Sequence, residues 1–149
     1  MFNLINFLIF FLLNCDDLFK FFIKMMHNYY ENEFSQFWIR NDILFFKYKP
    51  KSVINLKAAQ RIVADRIQLQ NEIAYPIFCD IRGIVDSDKA ARDYLAQSGS
   101  ILTKAVSLVG HQSVSLTITS FYLKICKPSV PTKLFTDESA ALAFLEEYI

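Results

Sequence analysis

The sequence predicts a small α/β domain, with a mixed and largely parallel sheet, an opening antiparallel hairpin and about four helices. Three observations point there. Along residues 36–149, short apolar runs alternate with amphipathic stretches, the pattern of strands joined by helical crossovers. Two aromatic and β-branched runs flank Asn41-Asp42, a pair that tolerates positive φ and so makes a tight hairpin turn. Pro50, Gly99, Gly110 and Pro128 each stand where a run stops.

The hairpin joins residues 37–40 to residues 43–48, and Pro50 ends its second strand. Asn55 is a good N-cap for a helix from Leu56, with Leu56, Ala59, Val63 and Ile67 recurring on one face. Residues 75–79, Tyr-Pro-Ile-Phe-Cys, read as a strand buried on both faces. Ser87 opens a second helix through Ala90, Ala91, Tyr94 and Leu95, closing near Ser98-Gly99. Residues 105–109 form another strand, stopped by Gly110. Residues 114–126 fit both periods: Val114, Leu116 and Ile118 alternate, while Ile118, Phe121, Tyr122 and Ile125 share a helical face. Ser113 as a cap, and Pro128 just beyond the end, favour the helix. Residues 132–135 make a last short strand. Thr136 or Asp137 then caps a final helix with Ala141, Phe144, Leu145 and Tyr148 on one side.

The chain has 149 residues, enough for one domain with a sizeable core, and neither a repeat nor a linker argues for a second. It is 53% hydrophobic with 15 Phe, but the excess is local. Residues 1–25 hold 18 apolar residues, seven of them Phe, and the remainder is about 49% apolar, an ordinary soluble composition. The head is a poor membrane span: its first run stops after 13 residues at Asn14, followed by Asp16 and Asp17, where a spanning helix needs roughly 20. It lacks the basic start and small-x-small site of a signal peptide. The pattern favours a dispensable head, or a working start at Met25 or Met26; a signal or anchor, and an amphipathic helix packed on the domain, are the alternatives.

With 16 basic and 15 acidic residues, the chain carries no electrostatic footprint for nucleic acid or an acidic membrane surface. The aromatics Phe34, Phe37, Trp38, Phe45 and Phe46 accordingly read as packing, not a base-stacking platform. Three glycines leave little room for phosphate-cradling loops, and there is no P-loop, dinucleotide fingerprint or G-x-S-x-G elbow. Cys15, Cys79 and Cys126 are odd in number and far apart, so neither a disulfide framework nor a zinc site is expected. Reduced thiols in a cytoplasmic protein fit best, with Cys79 a small buried hydrophobe. His27 and His111 are isolated, and a Cys79–His111 nucleophile pair is disfavoured by burial of the thiol. No cofactor is expected.

The strand–helix order, with Cys79-Asp80-Ile81-Arg82-Gly83-Ile84 leading through Asp86-Ser87 into a helix, resembles the STAS domains of anti-sigma-factor antagonists, the SpoIIAA-like group. The similarity covers about residues 36–149. It is closer to uncharacterised SpoIIAA-like proteins that share the runs at 90–95, Ala-Ala-Arg-Asp-Tyr-Leu, and at 131–138, Pro-Thr-Lys-Leu-Phe-Thr-Asp-Glu. The resemblance implies a non-enzymatic regulatory or protein-interaction domain, and, by kinship with a lipid-carrying fold, the alternative of a small apolar-ligand module with a cavity of a few hundred Å³. The antagonists are phosphorylated on a serine at the position of Ser87. Here the loop before Asp86 is shorter, and Asp88 and Lys89 replace the antagonists' second serine and glycine.

The candidate interaction or regulatory residues are therefore Ser87, Asp80, Arg82, Asp86 and Asp88. A phosphate on Ser87 would meet a helix N-terminus, although Asp86 and Asp88 would repel it; the plainer role is an N-cap. Asp80 and Arg82 follow a buried strand at the carboxyl edge, where open α/β sheets place ligands. Arg82 is either a partner contact or a locally paired group. The expected partner is a protein, and an exposed opening hairpin offers an edge for a homodimer that Lys47, Lys49 and Pro50 would blunt.

Overall fold

The computed structural model describes residues 28–112 and 127–149. The head, the helix expected over 114–126, Cys15, His27 and Cys126 lie outside them. Within the described residues the elements run β1 (Tyr29–Glu31), β2 (Ser35–Arg40), β3 (Ile43–Tyr48), β4 (Ser52–Ile54), α1 (Leu56–Gln70), β5 (Tyr75–Asp80), β6 (Ile84–Ser87), α2 (Lys89–Ser98), β7 (Thr103–Val109), β8 (Thr132–Phe135) and α3 (Glu138–Glu146). The main sheet has six strands in the order β1-β2-β3-β5-β7-β8, and β4 and β6 form a separate parallel ribbon. β1, β2 and β3 pair antiparallel, whereas β3, β5, β7 and β8 run parallel.

The hairpin forms where expected. Asn41 and Asp42 sit at φ 51° and 59°, the pair of left-handed residues whose twist matches the flanking strands. β1 then pairs along β2 at residues 36–38, so the hairpin edge expected to face a second copy is occupied over that length. β1, β4 and β6 have three or four residues each, too few to show alternation in the sequence.

Three side chains start the three helices. Asn55 Oδ1 accepts the Ala58 N–H at 2.8 Å, Asp88 Oδ1 the Ala91 N–H at 2.7 Å, and Asp137 Oδ2 the Ala140 N–H at 2.8 Å. This corrects the cap expected at Ser87, which instead closes β6. Pairing of Ile54 with Ser87 holds that residue extended, so the helix starts one residue later.

Alternation along the strands divides the core in two. Phe37, Leu44, Phe46, Ile77 and Cys79 face α1 and α2. Ile43, Phe45, Phe78, Ala105 and Val109 face α3. β5 lies between β3 and β7 and is buried on both sides, as its apolar run implies. The α1 face is rotated from the one expected: Leu56 is 38% exposed, while Ala58, Ile62, Arg66 and Gln70 are buried with Ala59 and Val63. The helix packs against α2 as well as the sheet, and hydrogen bonds let its polar residues turn inward.

Candidate functional site

β5 delivers Asp80 to the carboxyl edge of the sheet, where it is 4% exposed. A buried carboxylate needs donors, and the next turn supplies them. Arg82 gives its backbone N–H and Nε to Oδ1 at 3.0 and 2.9 Å, and its Nη2 to Oδ2 at 2.7 Å. The same Nη2 reaches Glu138 Oε1 at 2.5 Å, in the first turn of α3. Burial alone would push the Asp80 carboxyl up, but the Arg82 hydrogen bonds and charge hold it below its ordinary value. Donating to Asp80 and Glu138 in turn raises the Arg82 guanidinium. The structure thus pairs Arg82 internally and ties the end of β5 to α3. Glu138 was invisible to sequence reasoning, because only the fold brings it to Arg82.

Gly83 follows for a steric reason. A Cβ there would run into the carbonyl oxygens of Tyr48 and Lys49, while its own carbonyl accepts the Ser52 N–H at 2.9 Å. This close approach sends the chain into β6 and away from Asp80.

The five sequence-derived residues consequently fall into two groups. Asp80 and Arg82 gather toward α3. Ser87 is half-buried at the end of β6, where its carbonyl and its Oγ both accept from Arg92 Nη1, the hydroxyl at 3.4 Å. Asp86 is exposed beside it, and Asp88 is committed to capping α2.

Ser87 and Asp86 stand at one end of a cavity of about 470 Å³ between the sheet and the α1–α2 pair. Its sheet side is Phe46, Tyr48, Ile77, Cys79, Val106 and Leu108; its helix side includes Ile62, Val63, Leu95 and Ala96. Among the described residues, the polar groups on its wall are Arg66, Arg92, Asp86, Ser87, Ser100, Thr132 and the Tyr48 hydroxyl. A largely apolar hollow of this size, with sparse polar groups, is the form of a small-molecule pocket. Burial pushes the Cys79 thiol up, so it stays protonated and inert. His111 is an exposed loop residue with no bond to it.

Sequence reasoning missed Arg66. It is 3% exposed, giving Nη1 to Gln70 Oε1 and to the Ile101 carbonyl at 3.0 Å, and Nη2 to the Gly99 carbonyl at 3.2 Å. Gln70 Nε2 adds a bond to the Leu102 carbonyl at 2.7 Å, and Leu102 has φ 54°. The pair holds the α2–β7 loop against α1. Burial pushes the Arg66 guanidinium down to about 10, so it remains charged at neutral pH. Its signal in the sequence was placement in the apolar row with Ala59, Ile62 and Val63. Among the described residues, no three His, Cys, Asp or Glu side chains converge as metal ligands, and no helix is long and apolar enough to cross a membrane.

Comparison with known proteins agrees with this architecture. The family described as Domain of unknown function (DUF7793) matches residues 37–149. Among solved structures, the chain is similar to an uncharacterized protein of the DUF3478 family with a SpoIIAA-like fold from Shewanella loihica PV-4. The two share 16% identity and a TM-score of 0.53, over 78% of this chain and 98% of that one. The fold is therefore SpoIIAA-like. No curated protein matches the sequence significantly.

Proposed function

We propose that this chain, which belongs to the DUF7793 family, is a non-enzymatic cytoplasmic binding module whose cavity takes a small apolar ligand. The observation that carries this reading is the hollow of about 470 Å³ under α1 and α2, lined mainly by aliphatic and aromatic side chains. A hollow of this volume with a mainly apolar lining is of the size that takes a small organic ligand. The test is titration with the neutral fluorophore N-phenylnaphthylamine. Saturable binding at one site per chain is expected, abolished by Ala96→Phe, which fills the cavity from the α2 side. Absence of saturable binding in the native chain overturns the reading.

A second reading is a regulatory domain whose protein partner contacts the surface around residues 82–88 and α2. It is favoured by Val53 and Val85, adjacent on the ribbon and 54% and 65% exposed. A photo-crosslinker at position 85 would recover one discrete protein from the native host, and Val85→Lys would abolish its co-purification. Smeared, competitor-insensitive labelling would reject the reading.

A further inference from the structure

Among the described residues, the charge on Arg66 has no counter-ion. Its described partners are the Gln70 amide oxygen, the Ile101 and Gly99 carbonyls and, at the 3.5 Å limit, the Thr103 hydroxyl, all neutral. Neutral acceptors satisfy N–H groups but do not cancel a charge, and buried charges are ordinarily paired. The adjacent Asp65 points elsewhere, accepting from Arg61 Nε and Asn32 Nδ2, each at 2.8 Å. Cys79 and Tyr48 are the titratable wall groups whose charge bears on Arg66, and burial keeps the Cys79 thiol neutral. Arg66 is nevertheless one of the residues that line the cavity.

The cavity spans β3 to β8 on its sheet side and also reaches along α2. Arg92 and Gly99 both line it, so it extends about 10 Å along α2 at a helical rise of about 1.5 Å per residue. Arg66 stands at the Gly99 end, and Ile62, Leu95, Val106 and Leu108 supply apolar wall between it and Ser87.

We propose that the ligand is an aliphatic monocarboxylic acid, its carboxylate paired with Arg66 and its apolar part filling the cavity toward Ser87. This rests on the apolar-ligand reading and adds the chemistry of the head group. An ionised carboxylate supplies the missing charge and accepts bonds in the plane of the guanidinium fork, which no alcohol or hydrocarbon does.

The experiment compares octanoate with octanol by calorimetric titration of the full chain, then repeats both with Arg66→Met, Arg66→Lys and Arg92→Met. Octanoate should bind the native chain at least about tenfold tighter than octanol. Arg66→Met should bind both equally, Arg66→Lys should keep much of the preference, and Arg92→Met should keep nearly all of it. Equal binding of acid and alcohol by the native chain overturns the carboxylate assignment while leaving the apolar site standing. Binding of neither overturns both. Loss of the preference in Arg92→Met, with retention in Arg66→Met, moves the head group to the other end and overturns the role of Arg66. Should Arg66→Met fail to fold by circular dichroism, the native acid–alcohol comparison and Arg66→Lys still decide.

Discussion

The two faces of the sheet use alternate residues of the same strands and reach opposite ends. Toward α3, aromatic rings close the space: Trp38 stacks on Phe45 at 5.4 Å, Phe45 meets Phe78 at 5.4 Å, and Phe144 meets Phe135 at 5.7 Å. The charge on that side is paired, with Arg82 held between Asp80 and Glu138. Toward α1 and α2, Phe37, Phe46 and Tyr48 also pack ring against ring, but β5 and β7 offer the smaller Ile77, Cys79, Val106 and Leu108, a hollow remains, and Arg66 is charged without a carboxylate among its described partners. The larger buried cluster is nevertheless the one toward α1 and α2, so the hollow opens within a core and not beside one.

Substitutions should divide accordingly. Phe78→Ala, on the closed face, should cost about 3–5 kcal/mol in denaturant unfolding. Leu108→Ala, which enlarges an existing hollow from a half-buried position, should cost only about 1 kcal/mol. Equal costs would break the distinction between the faces.

Arg82→Ala should cost about 2–3 kcal/mol, because it strands the buried Asp80 carboxylate, with Arg82's partial exposure trimming the full penalty of a broken buried pair. The same pair sets a pH dependence. Asp80 titrates lower folded than its unfolded value of about 3.9, so its contribution is complete above that pH and is lost as pH falls through the folded value. Urea midpoints should therefore drop below about pH 4 in the native chain, and drop less in Asp80→Asn.

Removing the cap with Asp88→Ala should cost about 1 kcal/mol, more than Ser87→Ala. The reverse order in thermal melts would restore Ser87 as the helix start. The smallest effect has the opposite sign. Ser107 is fully buried on the α3 side and its hydroxyl has no partner among the described residues, so Ser107→Ala should be neutral or raise the melting temperature slightly.

What the sequence revealed follows the range of the signals. The Asn41-Asp42 turn, the Asn55 and Asp137 caps and the apolar run at β5 are local, and the structure places each as expected. β1, β4 and β6 are too short for a period and exist because a partner strand is already present. At the site, Asp80 and Arg82 were legible as a pair from adjacency, but Glu138 and the parting of Ser87 from them depend on which face each strand end turns to. The cavity is a property of volumes left between elements, which no residue pattern records. Arg66 lay within reach, one position from the stripe Leu56, Ala59, Val63 and Ile67; rotating that stripe to include Ile62 exposes the charge in the apolar row.

The β4–β6 ribbon fastens the chain just before α1 to the chain just before α2. Its two strands are far apart in sequence, with α1 and β5 between them, so its closure pays a loop entropy that the local hairpin does not. A two-stranded pairing with Val53 and Val85 in solvent is also marginal alone. The first amides to exchange when the native protein breathes should thus be those of the ribbon, at the mouth of the cavity, well before the sheet beneath it opens.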